Sequence, residues 1–220
     1  MPRLFFKWRR RASLFVVALV AGLSSSESIA QDDAPPPFTP EVVQKLVECR
    51  GSMTDLFSYA GMLFSDHPPA WITPISDNGH SGMASLWSYQ LGKPVTVFGQ
   101  SIDRLSLMKN WIVVELPRAA AMAIIRQQHM ERAPIAATEQ YFRFVDDRKG
   151  PMRGAFAPTD DVIATAILGN RAPRKEAGTL FVGCNYSVVS KAEFLAAAKQ
   201  ADRMMGKAGA DLHDMPNGKR

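Results

Sequence analysis

The chain has 220 residues, 46% hydrophobic and 21% charged, with 15 glycines, 15 prolines, two cysteines and a formal net charge of +5. That balance belongs to a chain able to bury a core, and it excludes collagen-like, low-complexity and wholly disordered classes. Most of the positive excess lies in residues 1–30: removing them takes five of the 26 Lys and Arg and one of the 21 Asp and Glu, leaving 21 against 20 and a net charge near +1. The remainder has no bulk electrostatic footprint for nucleic acid, so that partner class is set aside.

The first residues follow the order of a secretion signal. Arg3, Lys7, Arg9, Arg10 and Arg11 form a basic start, and Ala12 to Leu23 form an uncharged apolar run. That run is shorter than the roughly 20 residues a membrane-spanning helix needs. Ser28, Ile29 and Ala30 place small side chains where a signal peptidase requires them, which predicts cleavage after Ala30 and a mature chain from Gln31, periplasmic or secreted. An uncleaved signal-anchor helix is the alternative. No cysteine lies near the cleavage site, so no lipid anchor is expected and the mature protein should have no stable membrane attachment. The paired Arg10 and Arg11 also raise twin-arginine export, but Ala12 and Ser13 lack the large apolar group expected there, and the general secretory route is preferred.

An even cysteine count in an oxidising compartment favours a disulfide between Cys49 and Cys184. Two buried free thiols are the competing reading. A catalytic cysteine is less favoured, because no histidine flanks either in sequence.

In chain order, residues 31–38 contain Pro35, Pro36 and Pro37 and read as an extended linker. A single α+β domain is expected over residues 39–205. Thr39 followed by Pro40 is a helix start. Val42, Leu46, Cys49, Met53, Phe57, Ala60 and Phe64 recur at helical spacing, predicting one helix to about Ser65, with Gly51 as a point of loosening or kinking and those residues facing the core. Residues 67–85, from His67 to Ser85, are rich in Pro, Gly, Ser, Asn and Asp and read as a loop carrying Trp71 and Ile72. Strands are expected over Leu86 to Leu91, over Pro94 to Phe98 with a break at Gly99 and resumption from Ile102 to Met108, and over Trp111 to Leu116. A helix from Pro117 or Arg118 to about His129 follows, rich in Ala.

Further strands are expected at Gln140 to Val145, Val162 to Leu168 and Thr179 to Val189. A capping box of Ser190 and Glu193 starts a last helix from Lys191 to about Met205, and residues 206–220 read as a fraying tail. The order of helix and three strands, repeated and then closed by a helix, suggests a degenerate tandem repeat with halves 39–116 and 117–189. The Asp103–Arg104 and Asp160–Asp161 pairs act as matching turn-to-strand starts. The class is therefore α+β, an antiparallel sheet or sheets with helices packed on one face.

The segment Tyr89, Gln90, Leu91, Gly92, Lys93, Pro94, Val95, Thr96, Val97, Phe98, Gly99 resembles a segment of small exported proteobacterial proteins of uncharacterised function, a likeness that implies export and no activity. The repeated helix-and-strand outline is similar to that of small secreted inhibitor proteins that bind enzymes through a concave sheet, a likeness of architecture alone.

Candidate chemistry is sparse. His67, His80, His129 and His213 lie outside any two-histidine zinc spacing, and no metal or other cofactor is predicted. Asp77, His80 and Ser81 place acid, imidazole and hydroxyl within one loop, the residues a small hydrolase would use, although neighbours in a loop seldom converge. Asp66 and His67 read as a helix end. Asp160 and Asp161 suggest a glycosidase carboxylate pair, but adjacent residues on a strand point to opposite faces, and a solvated turn is the better reading. Asp146, Asp147, Arg148 and Lys149 read as a polar turn, and Gly206 with Gly209 lacks phosphate-loop spacing.

Among the aromatics Trp71, Trp87, Tyr89, Trp111, Tyr141 and Phe142, the loop carrying Trp71 and the strand carrying Trp87 and Tyr89 are the expected partner-binding surface. The reading that results favours a non-catalytic binding protein whose partner is another envelope protein, over an enzyme. A hydrolase, or a carrier holding an apolar ligand among Met and Phe side chains, is the alternative. Oligomeric state is left open.

Overall fold

The computed structural model of the chain describes residues 37–80, 83, 85–136, 138–158 and 178–214, with side chains to residue 205. Thr39 opens α1 (Pro40–Val47): its hydroxyl accepts from the Val42 amide at 3.4 Å, and Pro40 begins the first turn. The helix does not continue to Ser65. It ends in a Schellman motif, in which Cys49 takes φ +59° while its amide donates to the Leu46 carbonyl and that of Arg50 to the Lys45 carbonyl. Ser52 and Asp55 then cap α2 (Met53–Leu63) reciprocally. This break rotates the apolar phase. Leu56, Tyr59 and Leu63 are buried, whereas Phe57 and Phe64, expected inward, are exposed.

The remaining elements among the described residues are β1 (Ile72–Ile75), β2 (Trp87–Val97), β3 (Gln100–Met108), β4 (Trp111–Pro117), α3 (Arg118–Gln127), β5 (Glu131–Arg132), β6 (Gln140–Phe144), β7 (Met152–Phe156), β8 (Thr179–Asn185) and α4 (Lys191–Asp214). The expected strand at residues 162–168 and the Asp160–Asp161 pair lie outside the described residues. β1, β5 and β7 had no counterpart in the sequence reading. β1 carries Pro74, which an edge strand accepts because one side of its backbone has no partner to bond. The segment from Tyr89 to Gly99 runs through β2, across a register shift between Gln90 and Val95, and into the turn at Phe98 and Gly99. Both turn residues have positive φ, the conformation of a type I′ hairpin.

All eight strands form one antiparallel sheet in the order β1-β2-β3-β4-β8-β7-β6-β5. Each half is thus a meander of four strands, not three, running from an outer edge inward, and the two meet where β4 pairs with β8 from Trp111↔Asn185 to Pro117↔Thr179. The α+β class with helices beside an antiparallel sheet holds.

Strand alternation splits the interior in two. Ile112, Val114 and Leu116 of β4 and Leu180, Val182 and Cys184 of β8 belong to one cluster, with Val43, Leu46, Leu56, Tyr59, Ala121 and Ile124 from α1, α2 and α3. Trp111 and Val113 of β4 and Phe181 of β8 face the other side with Phe142, Phe144 and Phe156. There Phe194 of α4 packs against Phe142 at 4.7 Å and Phe144 at 5.8 Å between ring centroids. The Ser190–Glu193 capping box begins α4 as its sequence predicts, and the helix continues through the expected tail to Asp214. Cys49 and Cys184 are joined in a disulfide that ties the end of α1 to β8.

α3 ends as α1 does. His129 takes φ +50°, its amide donates to the Arg126 carbonyl and that of Met130 to the Ile125 carbonyl. A side chain at this left-handed position costs roughly 1 kcal/mol relative to glycine. His129→Gly is expected to raise stability by about that amount, read as a higher urea midpoint at unchanged m value; a lower midpoint would show that the His129 side chain itself supports the fold.

Candidate functional site

α2 is apolar around most of its circumference, with Met53, Leu56, Phe57, Tyr59, Ala60, Met62 and Leu63 in eleven residues. Such a helix is normally covered on all sides. Here Phe57, Gly61 and Phe64 share an outer face at spacings of four and three, and Phe57 is 55% and Phe64 53% exposed. Beside them stands Trp87 of β2, 58% exposed, whose ring meets Phe64 edge to face with centroids 5.4 Å apart. Space beyond Gly61 is open, since a Cβ added there meets nothing within 4 Å. Half-exposed side chains of this size present on the order of 300 Å² of apolar surface, the scale at which a patch on a folded protein commonly marks an interaction site.

Of the three residues expected to contact a partner, Trp87 alone is largely exposed. Tyr89 is 2% exposed; it lies in the core beneath Phe64, ring centroids 6.4 Å apart, and burial raises its phenol pKa above the ordinary value. Trp71 is half-buried and locked. Its indole N–H donates to the Phe38 carbonyl at 2.9 Å and its ring stacks on Phe38, which in turn packs on Tyr59. Tyr89 therefore supports the patch from below, while Trp71 belongs to the packing around Phe38. Phe57 and Phe64 are the residues that the sequence reading missed as surface groups. The signal that could have found them is the Ser52-x-x-Asp55 capping box, which restarts the helix and resets its phase.

The loop before β2 folds over the opposite sheet face. Asp77 is occupied locally, accepting from the Gly79 amide at 2.9 Å. The His80 ring contacts Glu115 instead, with Nε2 3.1 Å from one carboxylate oxygen, while the Thr179 hydroxyl donates to the other at 2.6 Å. Phe181 lies edge-on to the imidazole, ring centroids 5.1 Å apart. The carboxylate stands between hydroxyl and imidazole, so the hydroxyl proton is held by an acid and not offered to the ring nitrogen as nucleophilic catalysis requires. Ser81 lies outside the described residues. Among the described residues no group of three or more His, Cys, Asp or Glu side chains gathers as metal ligands.

A cleft of about 220 Å³ is lined by Met108, Trp111, Phe156 and Ala157 with Thr138, Glu139 and Gln140. Glu139 is engaged at its edge: Arg118 grips both its oxygens at 2.8 Å, the Tyr141 hydroxyl donates to one at 3.0 Å, and the Arg118 hydrogen bonds hold the carboxyl below its ordinary pKa despite burial. The cleft is smaller than the roughly 300–1,000 Å³ typical of small-molecule sites.

No family model, curated protein or solved structure matches the chain. The disulfide is of the kind that persists in oxidising compartments, and no helix among the described residues is long and apolar enough to cross a membrane.

Proposed function

We propose that this is an exported, non-catalytic binding protein of the bacterial envelope, and that the surface formed by Phe57, Phe64 and Trp87 receives another protein of that compartment. The observation that carries the reading is the exposure of three large aromatic side chains on adjoining elements, while Tyr89, Phe142 and Phe181 of the same fold are buried. Aromatic anchors of this type contribute most of the binding energy at protein interfaces because they bury large area at little entropic cost. The export signal, the disulfide and the likeness of Tyr89 to Gly99 to exported proteins support the location.

Phe64→Ala and Trp87→Ala are each expected to weaken partner capture by at least about tenfold, the loss of an interface hot spot, with the near-UV circular dichroism of the remaining aromatics kept. Capture from periplasmic extract, quantified against the unsubstituted protein, is the measurement. Equal capture by the doubly substituted protein would remove this surface from the proposal.

A further inference from the structure

A second feature, independent of the aromatic patch, lies on the side of the sheet that α1 and α3 cover. Arg143 of β6 and Arg153 of β7 are directly opposed cross-strand partners. Like charges in that relation repel. Each guanidinium has one local bond that explains part of its placement: Arg153 Nε donates to the carbonyl of Glu48 at 3.3 Å, and Arg143 Nη1 to the carbonyl of Gln128 at 3.0 Å. Glu48 and Gln128 are the C-caps of α1 and α3, where unpaired carbonyls and the helix dipole favour a cation.

These bonds leave most of each guanidinium fork unused among the described residues. The nearby carboxylate, Glu48, is spent elsewhere: one oxygen meets Arg50 at 2.9 Å, and the other accepts from the Phe98 amide at 2.8 Å and from Gln44 at 3.3 Å. Arg50, Arg143 and Arg153 against Glu48 leave two positive charges unbalanced. Burial first, then Arg143, and Arg50 also, lower the pKa of Arg153, with Glu48 opposing them. Arg143 is exposed and Arg153 half-buried, so both can be reached from solvent.

We propose that Arg143 and Arg153, with Arg50 beside them, form a binding site for a phosphate group. A doubly charged tetrahedral oxyanion matches the uncompensated charge, and paired planar forks suit its oxygens. Such a group can come as free phosphate or as the headgroup of an anionic lipid.

The test is thermal melting of the full protein in inorganic phosphate against chloride at equal ionic strength, with cosedimentation on phosphatidylcholine vesicles with and without phosphatidic acid. Phosphate is expected to raise the melting temperature of the unsubstituted protein. Arg143→Gln and Arg153→Gln, which keep a donor for the helix carbonyls, should weaken phosphate binding about tenfold or more. Without phosphate they should melt no lower than the parent, because a repulsion has been removed. Arg148→Gln, at a side chain 93% exposed outside the cluster, should respond as the parent does.

Vesicle binding that needs phosphatidic acid and the two arginines, without a response to free phosphate, would support the site and assign the lipid as its source. No phosphate-specific rise together with no vesicle binding, or an unchanged response in both variants, would overturn it. Should Arg153→Gln fail to fold, the exposed Arg143 decides the matter alone.

Discussion

Replacing Cys49 and Cys184 together by alanine is expected to destabilise the protein by up to about 5 kcal/mol, the chain-entropy value for opening a loop of 135 residues. The size follows from where the link sits. Cys49 stands just beyond α1, and Cys184 lies on β8, the strand that joins the two halves of the sheet. Without the bond, the unfolded chain regains the freedom of nearly all of its α+β region. Both sulfurs are buried, so the alanine pair also leaves a small void between helix and sheet. Urea unfolding of the oxidised, reduced and doubly substituted proteins checks this. The last two should share a lowered midpoint, with a larger m value as their unfolded chains expand. Coincident curves for all three would mean that the helix and sheet layers hold each other without the link.

Gly183→Ala should be nearly as damaging, by more than about 3 kcal/mol, a large fraction of the stability of an ordinary folded chain. Gly183 is buried in β8 between Val113 of β4 and Gly154 of β7. A Cβ there meets the backbone of β4 at the Ile112 carbonyl and, at 2.8 Å, the Val113 Cα. Backbone cannot yield as a side chain does, so the clash falls on the β4–β8 seam, through which the two meanders are joined. Gly154→Ala meets instead the outer ring of Trp111, at 2.6 Å, whose indole lies across the glycine. Gly178→Ala is the control, since nothing lies within 4 Å of its added Cβ and a change within about 0.5 kcal/mol is expected. Comparable midpoints for Gly183→Ala and Gly178→Ala would show that the seam can open without cost.

Much of the fold was legible where the signal is local. Thr39-Pro40 starts α1 and Ser190 with Glu193 starts α4, because a cap is made by residues three apart in sequence. Trp111 to Leu116, a run of aromatic and β-branched residues, and the strand expected over Gln140 to Val145, with Tyr141, Phe142 and Phe144, were legible through their strand-favouring composition. Gly51 marked a kink near the helix break, but the restart at Ser52 and Asp55 was masked by an apolar period running from Leu46 through Cys49 and Met53. β7 was not legible: Met-Arg-Gly-Ala-Phe has little strand propensity, and its Gly154 is explained by an indole from β4. Nor was the His80 contact, because its partner Glu115 is 35 residues away and reaches it only when the loop folds across the sheet.

By itself, then, the sequence determined the two-cysteine link and most element starts, which depend on composition or on neighbours within a turn. Only the tertiary structure decided that two four-stranded meanders meet at β4 and β8, that Tyr89 is covered while Phe57, Phe64 and Trp87 stay uncovered, and that Arg143 stands opposite Arg153. Exposure and cross-strand pairing are set by residues far along the chain, and periodicity in one segment carries no record of which other segment will lie against it.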